Sequence, residues 1–167
     1  MGESATLLDS YTEMTEILLP NDTNELGRAL GGVVLQWMDL CGVVAAMRFT
    51  GSQCVTAAMD GVDFVDPIDL GEVAVVEAYV FATGRTSVDV RVEVRAENPR
   101  TGAERTATTS FFTFVAVDGK GRPTEVPELS CPTDDQAALR EEARQQRIDY
   151  LRDVANGTRS DYSSRVT

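Results

Sequence analysis

LGGVVLQWMDLCGVVAAMRF, running from Leu30 to Phe49, decides the fold. The stretch is rich in good helix formers and lacks period-2 alternation, and Thr50-Gly51 follows it, where a glycine can close a helix. It predicts a helix that begins near Gly31 or Gly32 and ends near Thr50-Gly51. Gln36, Asp39 and Arg48 are its only strongly polar members, so the helix must be enclosed by protein instead of lying on a surface. Its length approaches that of a membrane span, but mid-helix Asp39 and near-terminal Arg48 make insertion costly, and no membrane is expected.

Outward from the helix the period becomes that of strands. Residues 12–19 have partial strand character and are stopped by Pro20-Asn21-Asp22. CVTAAMDGVDF, Cys54 to Phe64, reads as a strand with an interruption, and Pro67 to Gly71 as a turn. Val73 to Ala82 is a long apolar strand. From Ser87 to Ala96, Val88, Val90, Val92 and Val94 alternate with Asp89, Arg91, Glu93 and Arg95, so one face meets the core and the other meets water. Asn98 to Gly102 closes a hairpin, and Glu104 to Asp118 returns antiparallel. Long antiparallel strands with one early apolar helix imply an α+β domain, a curved antiparallel sheet wrapped around that helix. Gly119 to Pro132 reads as irregular, Thr133 to Leu151 as a charged helix, and the stretch from Ala155 onward as disordered. The expected division is one domain over 8–127 and an acidic C-terminal extension over 128–167.

Charge removes several classes of partner. Against 27 acidic residues stand 15 basic ones, a net charge of -12, and Lys120 is the one lysine among them. Nothing resembles a basic stripe, so nucleic acid and anionic membrane surfaces are poor partners. The balance reads as adaptation to concentrated salt, as in a halophilic archaeon, where screening relieves self-repulsion; an acidic protein of ordinary habitat is the alternative. No histidine is present, which removes Ser-His-Asp and Cys-His mechanisms and histidine zinc centres. Cys41, Cys54 and Cys131 are dispersed and odd in number, suggesting no metal site or disulfide framework and fitting a reducing, cytoplasmic compartment. The opening MGESATLLDSYTEM has neither the basic start nor the apolar core of a secretory signal.

Chemistry must therefore come from carboxylates, amides, hydroxyls or backbone groups. Asp39 stands out because a carboxylate among Trp37, Met38, Leu40 and Cys41 is expensive unless paired or solvated in a pocket. Desolvation there would move it toward the range useful to a general base; a bond to Arg48 is the structural alternative. Gly31 and Gly32 leave first-turn N–H groups open to a carbonyl, or else permit close packing of the sheet. Asn24 either holds a water or carbonyl or serves an Asx turn. Gly84-Arg85-Thr86-Ser87 sets a cation and two hydroxyls between two long strands, where a polyanion can be held.

Four ordered blocks carry a resemblance: LPNDTNELGRALGGVVLQWMDLCGVVAA (19–46), VTAAMDGVDFVDPIDLGE (55–72), ATGRTSVDVRVEV (82–94) and FFTFVAVDGKGRP (111–123). Together, across roughly Tyr11 to Pro127, they resemble the hotdog-fold acyl-CoA thioesterases, both the bacterial broad-specificity short-chain enzymes and the cytosolic brain-type long-chain hydrolases. The resemblance implies hydrolysis of acyl-CoA to free fatty acid and CoA, with no cofactor or metal. It further implies a homodimer whose active site lies across the interface, commonly assembled as a trimer of dimers. Asp39 would act as general base or nucleophile, with Asn24 supplied by the other subunit. The helix start, Gly31, Gly32 and Val33, would hold the oxyanion at the N–H of Gly32 or Val33. Gly84, Arg85, Thr86 and Ser87 would meet the nucleotide and pantetheine of CoA, with Val55 and Thr56 bordering the same groove. Gly61-Val62-Asp63 departs from the serine and asparagine frequent in the bacterial relatives, whose lysines are also largely missing here. A non-hydrolytic acyl-CoA binding or regulatory protein of the same fold is the alternative.

Overall fold

Helix α2 (Gly31–Thr50) lies against a five-stranded antiparallel sheet, described over residues 3–158 by a computed structural model. The strands are β2 (Thr12–Ile17), β3 (Gln53–Met59), β4 (Val73–Thr83), β5 (Ser87–Glu97) and β6 (Glu104–Val117), in the order β2-β4-β5-β6-β3. The sheet curves around α2 in the hotdog arrangement, as the alternation and the early apolar helix imply.

Why α2 sits there follows from its stripe. Val34, Trp37, Met38, Cys41, Gly42, Ala45, Ala46 and Phe49 recur every three or four residues and are all buried. They meet the inward side chains of β5 and β6, including Val88, Val90, Val92, Val94, Phe112 and Phe114, all fully buried. Closest approach falls at Gly42, where a Cβ would stand 2.9 Å from the Phe114 ring. At the C-terminus Gly51 adopts φ 65° and its N–H closes on the Met47 carbonyl, ending the helix as expected.

Enclosure of α2 is one-sided in the single chain. Leu40 is 46% exposed and Met47 38%, so the face opposite the sheet keeps its apolar residues uncovered. The expectation of a fully enclosed helix fails here because one curved sheet can cover only one stripe. Edge strand β3 is likewise open: Val55 and Met59 are exposed and, among the described residues, only its β6 side is hydrogen-bonded.

A second correction concerns the outer face of β5. Helix α3 (Asp134–Asn156) lies across Asp89 and Arg91, while Glu93 and Arg95 stay partly exposed and are taken up in ion pairs among the strands. Arg91 is only 7% exposed, donating to Gln146 of α3 at 2.7 Å and to Glu93 at 2.8 Å. Tyr79 of β4 donates its hydroxyl to the Leu139 carbonyl, and Arg147 pairs with Asp89 at 3.0 Å. The α3 start is capped by Thr133, whose hydroxyl accepts from the Gln136 N–H, with Asp134 and Asp135 in the first turn favouring the helix dipole.

Other elements escaped the sequence reading. A parallel pair joins β1 (Ser4–Thr6) near the N-terminus to β7 (Glu128–Ser130) just before α3, and a single-turn helix α1 (Leu7–Ser10) follows β1. β7 falls within the segment expected to be irregular. The strand expected through Phe64 stops at Met59, and residues 60–68 follow β6 without forming a strand. Helix α3 extends to Asn156, past the expected onset of disorder at Ala155; residues 159–167 of that stretch lie outside the described residues.

Candidate active site

Asp39 projects from α2 on the side away from the buried stripe and is half-buried. Its Oδ1 accepts from the Thr56 hydroxyl of β3 at 2.7 Å. Among the described residues it forms no ion pair. Arg48, the arginine available on the same helix, instead donates to the Tyr11 carbonyl and the Thr12 hydroxyl, both at 3.2 Å. The carboxylate is therefore oriented by a neutral hydroxyl, which leaves Oδ2 open.

At the start of the helix the picture is one of vacant donors. Leu30, the N-cap, supplies no side-chain bond. The Val33 N–H is engaged by the Leu30 carbonyl at 3.1 Å, whereas among the described residues Gly31 and Gly32 donate to nothing. Steric packing does not explain the glycine pair: a Cβ at Gly32 would meet no atom within 4 Å, and one at Gly31 would touch only the Phe64 ring at 3.5 Å. Open N–H groups at a helix N-terminus are suited to a developing negative charge.

Beside that helix start lies a cavity of ≈ 270 Å³, lined by Asn24, Arg28, Ala29, Gly31 and Val34 on one side and Phe64 to Ile68 on the other. Asn24 is set in an Asx turn, its Oδ1 accepting from the N–H groups of Leu26 and Arg28 at 3.0 and 3.1 Å. That bond fixes the side chain while leaving the amide NH2 available, so the turn and the cavity role coexist. The wall from Phe64 to Ile68 went unread in sequence; its signal was two apolar residues, Phe64 and Val65, caught between aspartates ahead of Pro67.

The other expected positions divide. Thr56 joins Asp39 directly, but strand alternation turns Val55, 50% exposed, to the opposite face. Register aligns Val55 with Val115 and Val115 with Ser87, so the Gly84–Ser87 turn sits one strand beyond, about 10 Å across the sheet. That turn is closed by the Gly84 N–H on the Ser87 carbonyl at 2.8 Å, and the Arg85 side chain is exposed. A Cβ at Gly84 would lie 2.6 Å from Ser87 Oγ, which explains the glycine. Asn24 and Asp39 are not brought together: Asp39 does not line the cavity, and eight residues of helix, about 12 Å of rise, separate it from Gly31.

Burial pushes the Cys41 thiol up to about 12, and its Sγ–H points at the Thr12 and Val76 carbonyls, so it is no nucleophile at neutral pH. Among the described residues, no group of three or more Cys, Asp or Glu side chains is gathered to hold a metal ion.

Comparison with known proteins adds to this geometry. The sequence pattern of the Thioesterase superfamily matches residues 26–103. An acyl-CoA thioester hydrolase of Bacillus subtilis, itself uncharacterized, is 36% identical over 137 residues, covering 82% of this chain and 80% of the relative. The chain belongs to the hotdog-fold acyl-CoA thioesterases. As such it is an acyl-CoA thioester hydrolase. The solved structure of an apo-hexameric acyl-CoA thioesterase matches this thioesterase with a TM-score of 0.80 at 37% identity, covering 92% of this chain and 98% of the other. An acyl-CoA hydrolase from Staphylococcus aureus, solved with butyryl-CoA, CoA and CoA disulfide, matches with a TM-score of 0.74 at 29% identity, covering 93% and 99%. Further structures of that hydrolase carry alanine in place of one asparagine, one aspartate and one threonine, 15 and then 17 residues apart. The same spacings separate Asn24, Asp39 and Thr56 in this thioesterase.

Proposed function

We propose that Asp39 is the general base of thioester hydrolysis and that Asn24 reaches it from a second copy of the chain. The observation that carries this reading is the Asp39 carboxylate itself, held by Thr56 and, among the described residues, by no cation, on a largely apolar helix face that the sheet leaves uncovered. Support also comes from the shared spacing with the positions substituted in the Staphylococcus aureus hydrolase. The intrachain separation of Asn24 from Asp39 fits a site closed by two subunits, as do the open β3 edge and the exposed side of α2. A hexamer, a trimer of such dimers, is the assembly that the hexameric relative favours for this chain.

In the reaction, Asp39 takes a proton from water, and the water oxygen bonds to the thioester carbonyl carbon. The oxyanion so formed lies at the N–H of Gly32 in the second copy, the one that brings Asn24, since that of Val33 is already engaged. When the carbonyl re-forms, the C–S bond breaks, and CoA leaves as thiolate and takes up a proton. The free fatty acid departs as carboxylate. The chain's own residues supply every role, so no cofactor is called for. Arg85, with Thr86 and Ser87, holds the phosphates and pantetheine of CoA in an otherwise acidic protein. The acidic surface suits operation in concentrated salt, and the unpaired cysteines suit the cytoplasm.

The test is thiol release from a series of acyl-CoAs in high KCl, with wild type and Asp39→Asn measured together. Turnover in the variant is expected to fall by at least ~10²-fold while CoA binding persists. Equal turnover in the two proteins would remove Asp39 from the chemistry.

A further inference from the structure

The wall of the cavity opposite the helix start, Phe64 to Ile68, belongs to a segment, residues 60–68, that has no regular structure and is held by its neighbours. Along β6, the Asp60 N–H donates to the Phe111 carbonyl and the Val65 N–H to the Ala107 carbonyl, both at 2.9 Å. The buried hydroxyls of Ser110 and Thr108 donate to backbone carbonyls of the same segment. At its far end Arg105 donates to the Pro67 carbonyl at 2.7 Å while gripping Glu72 with two nitrogens.

At its near end the segment is held from α3. The Gly61 N–H donates to the Tyr150 hydroxyl at 2.7 Å. Arg147 bridges two carboxylates, Asp60 of the segment at 3.3 Å and Asp89 of β5 at 3.0 Å, all three side chains partly shielded from solvent. Asp89 is in turn fixed by the Thr113 hydroxyl at 2.7 Å. Three residues beyond Gly61 stands Phe64, whose ring touches the Gly31 position and forms the cavity wall. Gln136, Leu139, Ala143 and Gln146 anchor α3 to α1 and the sheet at other points along its length.

We propose that α3 is a strut for the substrate wall. Arg147 and Tyr150 are positioning residues that set where Phe64 stands, and through it which acyl groups the cavity admits. The C-terminal helix thereby acts on selectivity from the opposite face of the sheet, touching neither the acyl group nor Asp39. This inference rests on the cavity being the acyl end of the thioesterase site.

Three full-length variants test it. Tyr150→Phe and Arg147→Gln release the segment; Tyr79→Phe removes an α3 anchor, the bond to Leu139, that never touches the segment. Hydrogen exchange over residues 60–66, measured without substrate, is expected to quicken in the first two and not in the third. KM for long against short acyl-CoAs is expected to shift in ratio by ~5-fold in the first two, less than the full worth of a methylene in a tight pocket, with kcat held. Arg147→Lys, which keeps the charge, should restore part of the ratio. Unchanged exchange, an unchanged ratio, or equal effects from Tyr79→Phe would each overturn the strut. Failure of the wild type to hydrolyse any acyl-CoA would count against the reading of the site, while exchange still decides whether α3 holds the wall.

Discussion

On its inner face the sheet gives Val88, Val90, Val92, Val94, Phe112 and Phe114 to α2; on its outer face β5 gives Asp89 and Arg91 to α3, with Glu93 and Arg95 continuing the charged row in ion pairs among the strands. The first interface is mostly shape and dispersion, with few polar atoms to satisfy, the Cys41 thiol among them. The second is a lattice of charges and amides over a smaller apolar floor, Tyr79, Phe81 and Phe111, the last two packed edge to face at 5.6 Å. An apolar interface is specified by volume, so a change of a few cubic ångströms is felt everywhere in it. A polar one is specified by pairing, so its weak points are the buried groups that lose a partner.

Truncating Phe114 to alanine tests the inner face most severely. The side chain is fully buried, and the cavity left behind should cost about 3–5 kcal/mol in denaturant unfolding. On the outer face Arg91→Ala should cost about 2 kcal/mol, because Glu93 and Gln146 both lose a charge-assisted bond away from water. A loss below about 0.5 kcal/mol would return this face to the status of ordinary surface and dissolve the comparison. Gly42→Ala pits the two terms of the inner face against each other. Crowding against Phe114 opposes the better helix propensity of alanine, and a net loss of about 1 kcal/mol is expected by thermal unfolding.

The smallest effect is pH-dependent. The Arg105 guanidinium, bonded to both oxygens of Glu72, holds that carboxyl below its ordinary value. A depressed carboxylate stabilises the fold fully above the ordinary carboxylate range and loses that contribution as pH falls through its lowered folded value. Glu72→Gln should therefore cost about 0.5–1 kcal/mol at pH 7, the modest sum reflecting a guanidinium that is a third exposed, and almost nothing once wild type is itself protonated. Stability curves of the two proteins that stay parallel into acid would deny the pair any role.

What the sequence disclosed tracks the same division. The inner face announced itself because valines alternating with charges have one reading, and because a helix of such apolarity needs a sheet beside it. The outer face misled because alternation reports only that a side chain is polar. It does not say whether water or another helix supplies the bonds, and Gln146 and Arg147 lie more than fifty residues from the β5 side chains they meet. The β1–β7 pairing was invisible for a like reason, three-residue strands far apart in sequence carrying no periodic signal. At the site, Asp39 was legible from the cost of a carboxylate among apolar neighbours. Thr56 as its partner, the engaged Val33 N–H and the wall at Phe64 were not, since each depends on the path of the backbone. Within the single chain Asn24 and Asp39 stay apart, and their pairing across two copies is the proposal that the Asp39 variant tests.

Strand β3 offers backbone donors and acceptors along one whole margin, and α2 leaves Leu40 and Met47 bare nearby. If a sister polypeptide completes both, ripening into a native particle becomes a second-order process, and dilution alone would loosen it. The midpoint of thermal melting would then climb with protein concentration, making abundance in the cell part of what keeps the molecule intact.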